Sequence, residues 1–343
     1  MTTLFVLTSY NNEKEIDKCL INLNNIKNLN FNKFKILLID DCSSDGTLFI
    51  AKKFTCIDQI IFKKQNQGVS HSRNIGISFA IENDFKSLVF VDADDYLNPE
   101  FFKINKIDEN AHIILTNYKV LKNNSTLISI NFDEFNSGII NLTTYIQNYC
   151  LSPNTHNLFS TCWAKIFSVS FLKENSIKFN ENLKICEDTD FMFNCLSRTL
   201  NIHFNQNFFY TYTISKMKKN RATLGAKLDF KENFQFIFII KNLINVMKFY
   251  NNNIKIFHIR AFYINYSIIY SIRAALKIES LIGLFEYYNT IKYHYNSKII
   301  MKSITYYNYG FINKFILIFC VKFKNYYLLT IYFIIKSIIR YRF

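Results

Sequence analysis

Short apolar runs alternate with helix-like segments through the first 95 residues of the chain. The runs TLFVLTSY, FKILLIDD, IDQIIFKK and SLVFVDADD have the length and composition of buried strands. Apolar side chains at Ile16, Cys19, Leu20 and Leu23 have the spacing of one helix face, and TLFIAKKF and NQGVSHSRNIGISFAI are also predicted helices. The order β-α-β-α-β-α-β is typical of a parallel sheet with helices on both faces, so we predict an α/β fold.

The composition favours a large folded core and an intracellular location. Half of the 343 residues are hydrophobic, and the chain has only 7 glycines and 2 prolines, which argues against long flexible linkers. The opening segment MTTLFVLTSYNN has no basic leader, so we expect no signal peptide. The eight cysteines show no CxxC pair, which indicates reduced thiols rather than disulfides or a zinc site. We therefore expect a cytoplasmic protein.

The charge is distributed unevenly along the chain. Residues 1–220 hold 23 Lys/Arg and 22 Asp/Glu, whereas residues 221–343 hold 18 Lys/Arg and 4 Asp/Glu. The last acidic residue is Glu286. A strongly basic, aromatic last third indicates an anionic partner, either a membrane surface or a nucleic acid. The chain has no zinc-finger spacing and no RNA-binding motif, so we do not expect nucleic acid.

Aspartates follow two of the predicted strands. Asp41 comes after the second strand, and Asp92 and Asp94 come at the end of the fourth. Ligands of open α/β sheets bind outside the carboxyl ends of the strands. Side chains two residues apart on a strand point the same way, roughly 6.5–7 Å apart, so Asp92 and Asp94 can share a hard cation such as Mg2+ or Mn2+. The alternative is a solvated acidic turn.

The motifs TSYNNEKEIDKCL, ILLIDDCSSDGT, NQGVSHSRNIGISFA and VFVDADDYL resemble, in order and spacing, those of the family 2 glycosyltransferases with the GT-A fold. The resemblance continues through TCWAKIFS, FNENLKICEDTDFMF and FFYTYTIS, and so covers about residues 3–215. It implies a GT-A nucleotide-sugar-binding domain over 1–220, followed by a basic helical region over 221–343. Ser9 stands where the family usually has proline, and we expect it to loosen the first turn.

The resemblance also implies a donor site that binds a nucleotide sugar with the help of Mn2+ or Mg2+. The base would lie against the segment after the first strand and against Asp41. Asp40 is the second candidate for this contact, and its alternative role is to cap the following turn. Arg73 would contact the diphosphate, because a guanidinium fork suits its oxygens. Asp92 would contact the ribose, and Asp94 would bind the metal. The predicted donor-site residues are Tyr10, Asn11, Glu13, Asp41, Arg73, Asp92 and Asp94.

The catalytic base implied by the resemblance is Asp188, with Glu187 and Asp190 as close rivals. One carboxylate that accepts the proton of the attacking hydroxyl gives a single displacement with inversion. The acidic cluster also fits a plain helix N-terminus. Trp163 could stack on an acceptor sugar or pack in the core, and Lys165 could contact the acceptor or lie on the surface.

The tail has no charge-free stretch of the roughly 18–20 residues that a membrane span needs, so we predict none. Placed on one helix, residues 311–343 have a cationic side and an apolar side, which predicts an in-plane helix on an anionic membrane or, alternatively, packing on protein. The cationic side carries Lys314, Lys322, Lys324, Lys336, Arg340 and Arg342. The apolar side carries Ile316, Phe319, Cys320, Phe323, Tyr326, Tyr327, Ile331, Phe333, Ile334, Ile338 and Tyr341.

Together these features predict an inverting, metal-dependent glycosyltransferase that uses a nucleotide sugar, with a UDP-sugar as the favoured donor. The predicted acceptor is a glycan or a lipid-linked acceptor in bacterial polysaccharide or lipooligosaccharide synthesis, and the enzyme would lie peripherally on the cytoplasmic face of the inner membrane. Two alternatives remain open. One is a phosphohydrolase with an aspartyl nucleophile from DADD, and the other is a non-catalytic, membrane-associated scaffold with the same fold.

Overall fold

The computed structural model describes two compact units, each built from several stretches of the chain. The first comprises Met1–Asn141, Thr161–Asn182 and Arg198–Lys218, and the second comprises Leu142–Ser160, Leu183–Ser197 and Lys219–Phe343. Within these units the described residues are 3–29, 34–104, 110–122, 126–130, 142–151, 158–214, 232–250, 255–275, 278, 280–304 and 311–342. The predicted boundary at residue 220 divides the chain once, whereas these units interleave, and that boundary stays a prediction.

The first unit is built on a mixed sheet. In the order β3-β2-β1-β4 the strands are all parallel, as predicted from the alternation of apolar runs and helices. The sheet continues with β8-β6-β9-β5, and β7 pairs with β6. In chain order the strands are β1 (Thr3–Ser9), β2 (Phe34–Asp40), β3 (Gln59–Phe62), β4 (Ser87–Asp92), β5 (Tyr96–Leu97), β6 (Ile113–Lys122), β7 (Thr126–Ile130), β8 (Lys165–Ser168) and β9 (Ile202–Ile214).

Helices occur in both units, and the described part of the second unit is helical. In chain order they are α1 (Ile16–Asn28), α2 (Thr47–Ala51), α3 (Val69–Glu82), α4 (Pro99–Ile104), α5 (Leu142–Leu151), α6 (Val169–Glu174), α7 (Glu187–Leu196), α8 (Ile240–Phe249), α9 (Ile256–Ala275), α10 (Leu281–Tyr295), α11 (Lys298–Ser303), α12 (Phe311–Lys322) and α13 (Tyr326–Arg342). Short 3-10 turns span Leu158–Ser160 and Glu232–Ile237.

Close packing of α3 on β1 sets the position of the site. A Cβ at Gly76 would lie 2.5 Å from Cγ1 of Val6, so the helix can rest directly on the strand only because residue 76 has no side chain. Gly68, just before the helix, has φ +87°, a backbone conformation that other residues rarely adopt. These two glycines fix how α3 leaves the rim of the sheet.

The single helix predicted over residues 311–343 is wrong. The structure has two helices, α12 and α13, with a turn between them. Lys324 takes a left-handed conformation with φ 52°, and the side chain of Asn325 accepts a hydrogen bond from the backbone N–H of Leu328 (3.1 Å), which caps the new helix. This local capping outweighs the continuous helical pattern.

The break also divides the predicted apolar face of the tail. Helix α13 packs against α9, α10 and α12, and Cys320, Tyr326 and Phe333 are buried there. Other residues of the same predicted face stay exposed, among them Phe323 and Ile331. Among the described residues, none of the helices is both long and apolar enough to span a bilayer.

Candidate active site

Three carboxylates meet where β4 ends. Oxygen atoms of Asp92, Asp94 and Asp95 all lie within 4.8 Å of one another. Asp92 and Asp94 are partly exposed, whereas Asp95 is fully buried. Carboxylate oxygens are the ligands that Mg2+ and Mn2+ prefer, so the donor set fits the divalent cation that the sequence predicts.

Asp95 holds the acidic loop against β9. One oxygen of its carboxylate accepts from the backbone N–H of Thr213 (2.8 Å), and the other accepts from the hydroxyl of Tyr210 (2.9 Å). The same hydroxyl accepts the backbone N–H of Asp92 (3.1 Å). Strand β5 adds an antiparallel ladder to β9. These bonds hold the loop that carries Asp92 and Asp94 against β9. Tyr210 was not among the predicted site residues, because no local spacing in the sequence links the two segments.

Arg73 lies beside this loop. Its side chain is only 5% exposed, and one guanidinium nitrogen lies 3.2 Å from Oδ1 of Asp92. The guanidinium carbon lies 5.3 Å from the ring centroid of Phe179, within the range of a cation–π interaction. The close approach of α3 to β1 thus places a positive charge at the edge of the acidic loop, as a diphosphate contact requires.

Two aspartates lie at the carboxyl end of β2, on the same rim: Asp40 is the last residue of the strand and Asp41 follows it. Asp40 accepts hydrogen bonds from the hydroxyls of Ser9 (2.8 Å) and Ser43 (2.6 Å) and from the backbone N–H of Ser43 (2.8 Å). It therefore organises its own turn, which is the alternative role considered for it. The hydroxyl at residue 9 joins the first turn to β2, and the expected loosening of that turn stays a prediction.

Asp41 is buried, and its carboxylate accepts three hydrogen bonds among the described residues. Oδ1 accepts from Nζ of Lys63 (2.5 Å) and from the backbone N–H of Gln67 (2.9 Å), and Oδ2 accepts from the backbone N–H of Gly68 (2.8 Å). The carboxylate thus anchors the turn that precedes α3. Its contact with a nucleotide base stays a prediction.

The segment after β1 presents one exposed aromatic ring. Tyr10 is 47% exposed, and Glu13 is exposed as well. Asn11 has a left-handed backbone with φ 52°, and its side chain accepts from the backbone N–H of Ser44 (2.9 Å). Glu13 donates its backbone N–H to the carboxylate of Asp45 (3.1 Å). The segment is held by its own hydrogen bonds, which leaves the Tyr10 ring accessible to a ligand.

The predicted catalytic acids lie in the first turn of α7, in the second unit. Glu187 and Asp188 are partly exposed. Asp190 is buried and accepts a hydrogen bond from the side chain of Asn242 (2.8 Å). Burial raises the pKa of Asp190, and the hydrogen bond from Asn242 acts in the opposite direction. Asp190 therefore fits a structural role, which leaves Glu187 and Asp188 as the accessible carboxylates.

The two predicted acceptor residues lie in the core of the first unit. Trp163 is 7% exposed and stacks on Tyr210 and Tyr212, with centroids 5.0 and 5.1 Å away. Lys165 is fully buried, and its ammonium donates to the hydroxyl of Thr161 (3.2 Å) and to the carbonyl of Trp163 (3.1 Å). This packing matches the core alternative considered for Trp163, and the acceptor contacts of both residues stay predictions.

The first half of the chain matches a known enzyme family. Residues 5–171 match the family described as Glycosyl transferase family 2. This stretch carries β1 to β8 and the acidic loop, and it belongs to that family. The fold is GT-A, followed by a helical C-terminal region.

Two curated relatives are named for poly(ribitol-phosphate) glycosylation and for teichoic acid biosynthesis. The poly(ribitol-phosphate) beta-N-acetylglucosaminyltransferase TarS of Staphylococcus aureus is 32% identical over 193 residues, which is 53% of this chain and 30% of TarS. The minor teichoic acid biosynthesis protein GgaB of Bacillus subtilis is 23% identical over 284 residues, which is 80% of this chain and 29% of GgaB. The chain thus spans less than a third of the length of these relatives.

A solved structure shows the same fold. The crystal structure of Staphylococcus aureus TarS 1–349 in complex with UDP-GlcNAc aligns with a TM-score of 0.64 and 18% identity. The alignment covers 96% of this chain and 89% of that chain. The GT-A fold predicted from the motifs is therefore confirmed.

Proposed function

We propose that this protein is an inverting glycosyltransferase that takes its sugar from a nucleotide sugar, with a UDP-sugar as donor. The observation that carries the proposal is the arrangement at the end of β4, where Asp92, Asp94 and Arg73 lie together in a family 2 domain. The similarity to TarS, which has been crystallised with UDP and with UDP-GlcNAc, supports the choice of a uridine nucleotide.

The donor site would hold Mn2+ or Mg2+ through Asp94, with Asp92 beside it. A bound divalent cation would neutralise charge on the diphosphate and so stabilise the departing nucleoside diphosphate. Arg73 would donate to the diphosphate oxygens, and its burial keeps the guanidinium in one orientation. Asp95 would support the site indirectly, by holding the loop in place, because its carboxylate accepts hydrogen bonds from Tyr210 and Thr213.

The acceptor hydroxyl must lose a proton as it attacks the sugar. We propose that the carboxylate of Asp188 is the general base that accepts this proton, and Glu187 is the alternative candidate. The proposed acceptor is a glycan or a lipid-linked acceptor in the synthesis of a bacterial surface polysaccharide, such as a capsule or a lipooligosaccharide. The functions named for TarS and GgaB, sugar transfer to poly(ribitol-phosphate) and teichoic acid biosynthesis, support a surface-glycan role.

A panel of nucleotide sugars tests the proposed function. We expect UDP-sugars to raise the melting temperature in the presence of Mn2+ and to do so less in EDTA, because a ligand that binds only the native state stabilises it. A donor at about 100 times its dissociation constant should add about 2.7 kcal/mol to the free energy of unfolding. GDP-, CMP- and ADP-sugars serve as controls. A melting temperature that no nucleotide sugar changes would contradict the proposal.

The same proposal places the enzyme on the cytoplasmic face of the inner membrane as a peripheral protein. Large apolar side chains remain exposed on α12, on α13 and in the turn between them, including Phe323 (65%), Ile331 (52%) and Ile335 (51%). Lys322 and Lys324 are exposed on the same segment. Exposed apolar groups beside lysines are suited to an anionic leaflet, where each basic residue contributes about 1 kcal/mol.

Point substitutions test membrane binding without removing helices that pack in the second unit. The triple variant Phe323→Ser, Ile331→Ser and Ile335→Ser should co-sediment with phosphatidylglycerol vesicles at least about tenfold less than the wild type, because it loses buried apolar area. Phe49→Ser is the matched control, since Phe49 is 69% exposed in the first unit. Equal sedimentation of triple variant and wild type, or no sedimentation of the wild type, would contradict membrane binding.

A further inference from the structure

The turn that begins α7 has a strained backbone. Cys186 precedes the first helical residue and takes a left-handed conformation with φ 60°. Its carbonyl accepts the first helical hydrogen bond, from the backbone N–H of Asp190 (2.9 Å). Residues with a Cβ rarely adopt this conformation, which persists where surrounding contacts impose it. The contacts around Cys186 therefore set the direction in which the first turn of α7, with Asp188, leaves the preceding chain.

One of these contacts comes from helix α9, 84 positions further along the chain. The hydroxyl of Tyr270 lies 2.9 Å from Sγ of Cys186, and either group can donate the hydrogen. The Tyr270 ring is buried and stacks on Phe236, with centroids 5.6 Å apart and planes at 10°. Burial raises the pKa of Tyr270, so the hydroxyl keeps its proton at neutral pH. The packing of the ring thus fixes the hydroxyl against the thiol.

Two further contacts hold the same segment on either side of this thiol. Before it, the backbone N–H of Lys184 donates to Oε1 of Gln235 (2.8 Å). After it, the side chain of Asn242 donates to Oδ1 of Asp190 (2.8 Å). These partners lie in the 3-10 turn and in α8 of the second unit, beyond the residues that match the family. The helical region therefore braces the segment that carries the proposed base.

We propose that Tyr270 is a positioning residue for the catalytic base, and that it acts through Cys186 to hold Asp188 in the orientation that accepts the proton. This inference rests on the proposed function, in which Asp188 is the base. Asp188 is partly exposed and follows Cys186 by two residues, so a change in the Cys186 backbone reorients it. A base must lie within hydrogen-bonding reach of the proton that it accepts. Tyr270 thus affects the rate without contacting the substrate.

The test measures the release of UDP, with water as acceptor, from the UDP-sugar that most stabilises the wild type. Water forms the bond to the anomeric carbon, UDP leaves, and the proton goes to Asp188. Tyr270→Phe keeps the ring and removes only the hydroxyl. We expect kcat to fall at least about tenfold, since a 1 Å misplacement can cost about 100-fold, with little change in the KM for the donor.

Variants at Cys186 reach the same contact from its other side. Cys186→Ala should give a loss in kcat similar to that of Tyr270→Phe, whereas Cys186→Ser keeps a hydrogen-bonding group and should retain most of the rate. Tyr326→Phe is the matched control and should leave kcat unchanged. Tyr326 is also a buried tyrosine of the second unit, and its hydroxyl donates to the side chain of Asn296 (3.0 Å).

A double variant shows whether Tyr270 acts through Cys186. Tyr270→Phe combined with Cys186→Ala should be no slower than Cys186→Ala alone, because both changes remove the same contact. The inference alone would be overturned by losses that multiply in the double variant, by an unchanged kcat in the folded single variants, or by an equal loss in Tyr326→Phe. Failure of the wild type to release UDP from any UDP-sugar would overturn it together with the proposed function.

Discussion

Replacing Asp94 with asparagine should abolish the Mn2+-dependent part of nucleotide-sugar binding. The substitution removes a charged oxygen ligand from a hard cation, and the cost should exceed the about 10–100-fold that loss of an outer-shell partner causes. The loop itself should persist, since Tyr210 and Thr213 hold it through Asp95 rather than through Asp94. Titration calorimetry with and without Mn2+ measures the effect.

The control for this variant is Asp84→Asn, an exposed aspartate just after α3 that lies outside the carboxyl-end rim. It should bind the donor as the wild type does, and its melting temperature should be unchanged. If Asp94→Asn bound the donor as tightly as the wild type in Mn2+, the assignment of Asp94 as a metal ligand would be wrong. That outcome would not by itself contradict the proposed glycosyl transfer.

Replacing Asp188 with asparagine should leave donor binding nearly intact and lower the rate of transfer at least about 100-fold. That factor is the lower range for losing a general base, because the acceptor hydroxyl then keeps its proton in the transition state. The fold should tolerate the change, since the side chain is partly exposed in the first turn of α7. Steady-state kinetics should show the loss in kcat, with little change in the KM for the donor.

Two neighbouring variants separate the roles of the acidic cluster. Glu187→Gln should retain most of the transfer activity if Asp188 is the base. Asp190→Asn should act mainly through stability, because this residue is buried and bonded to Asn242. Transfer that survives in Asp188→Asn and disappears in Glu187→Gln would exchange the two assignments.

Sequence reasoning predicted the elements whose patterns are local. The four parallel strands β1 to β4 appear as apolar runs, and the helices between them appear as apolar residues with helical spacing. Because parallel strands put their carboxyl ends on one edge, the rim that holds Asp41, Asp92 and Asp94 followed from the same pattern. The tail shows the limit of such patterns, since the apolar repeat over 311–343 continues through the turn that Lys324 and Asn325 impose.

Other features depend on contacts between distant segments. Asp95 meets Tyr210 and Thr213 across 115 and 118 positions of sequence, and nothing in the spacing of DADD distinguishes this buried aspartate from its two partly exposed neighbours. Lys63 looks like a surface lysine after a strand, yet the structure buries it against Asp41. Trp163 was predicted either to stack on an acceptor sugar or to pack in the core, and Lys165 either to contact the acceptor or to lie on the surface. The structure packs both in the core of the first unit, and their acceptor contacts stay predictions.

The sequence by itself determined the α/β class, the family motifs and the side of the sheet on which the acidic residues gather. The hydrophobic period of each segment and the order of strands and helices along the chain are read directly from the sequence. They do not depend on how those segments pack against one another. Only the tertiary structure decided which carboxylates stay partly exposed, which one holds the loop and which one is paired with a lysine. Those roles depend on which donors lie within hydrogen-bonding distance after burial, and a buried carboxylate must find such partners because water no longer supplies them.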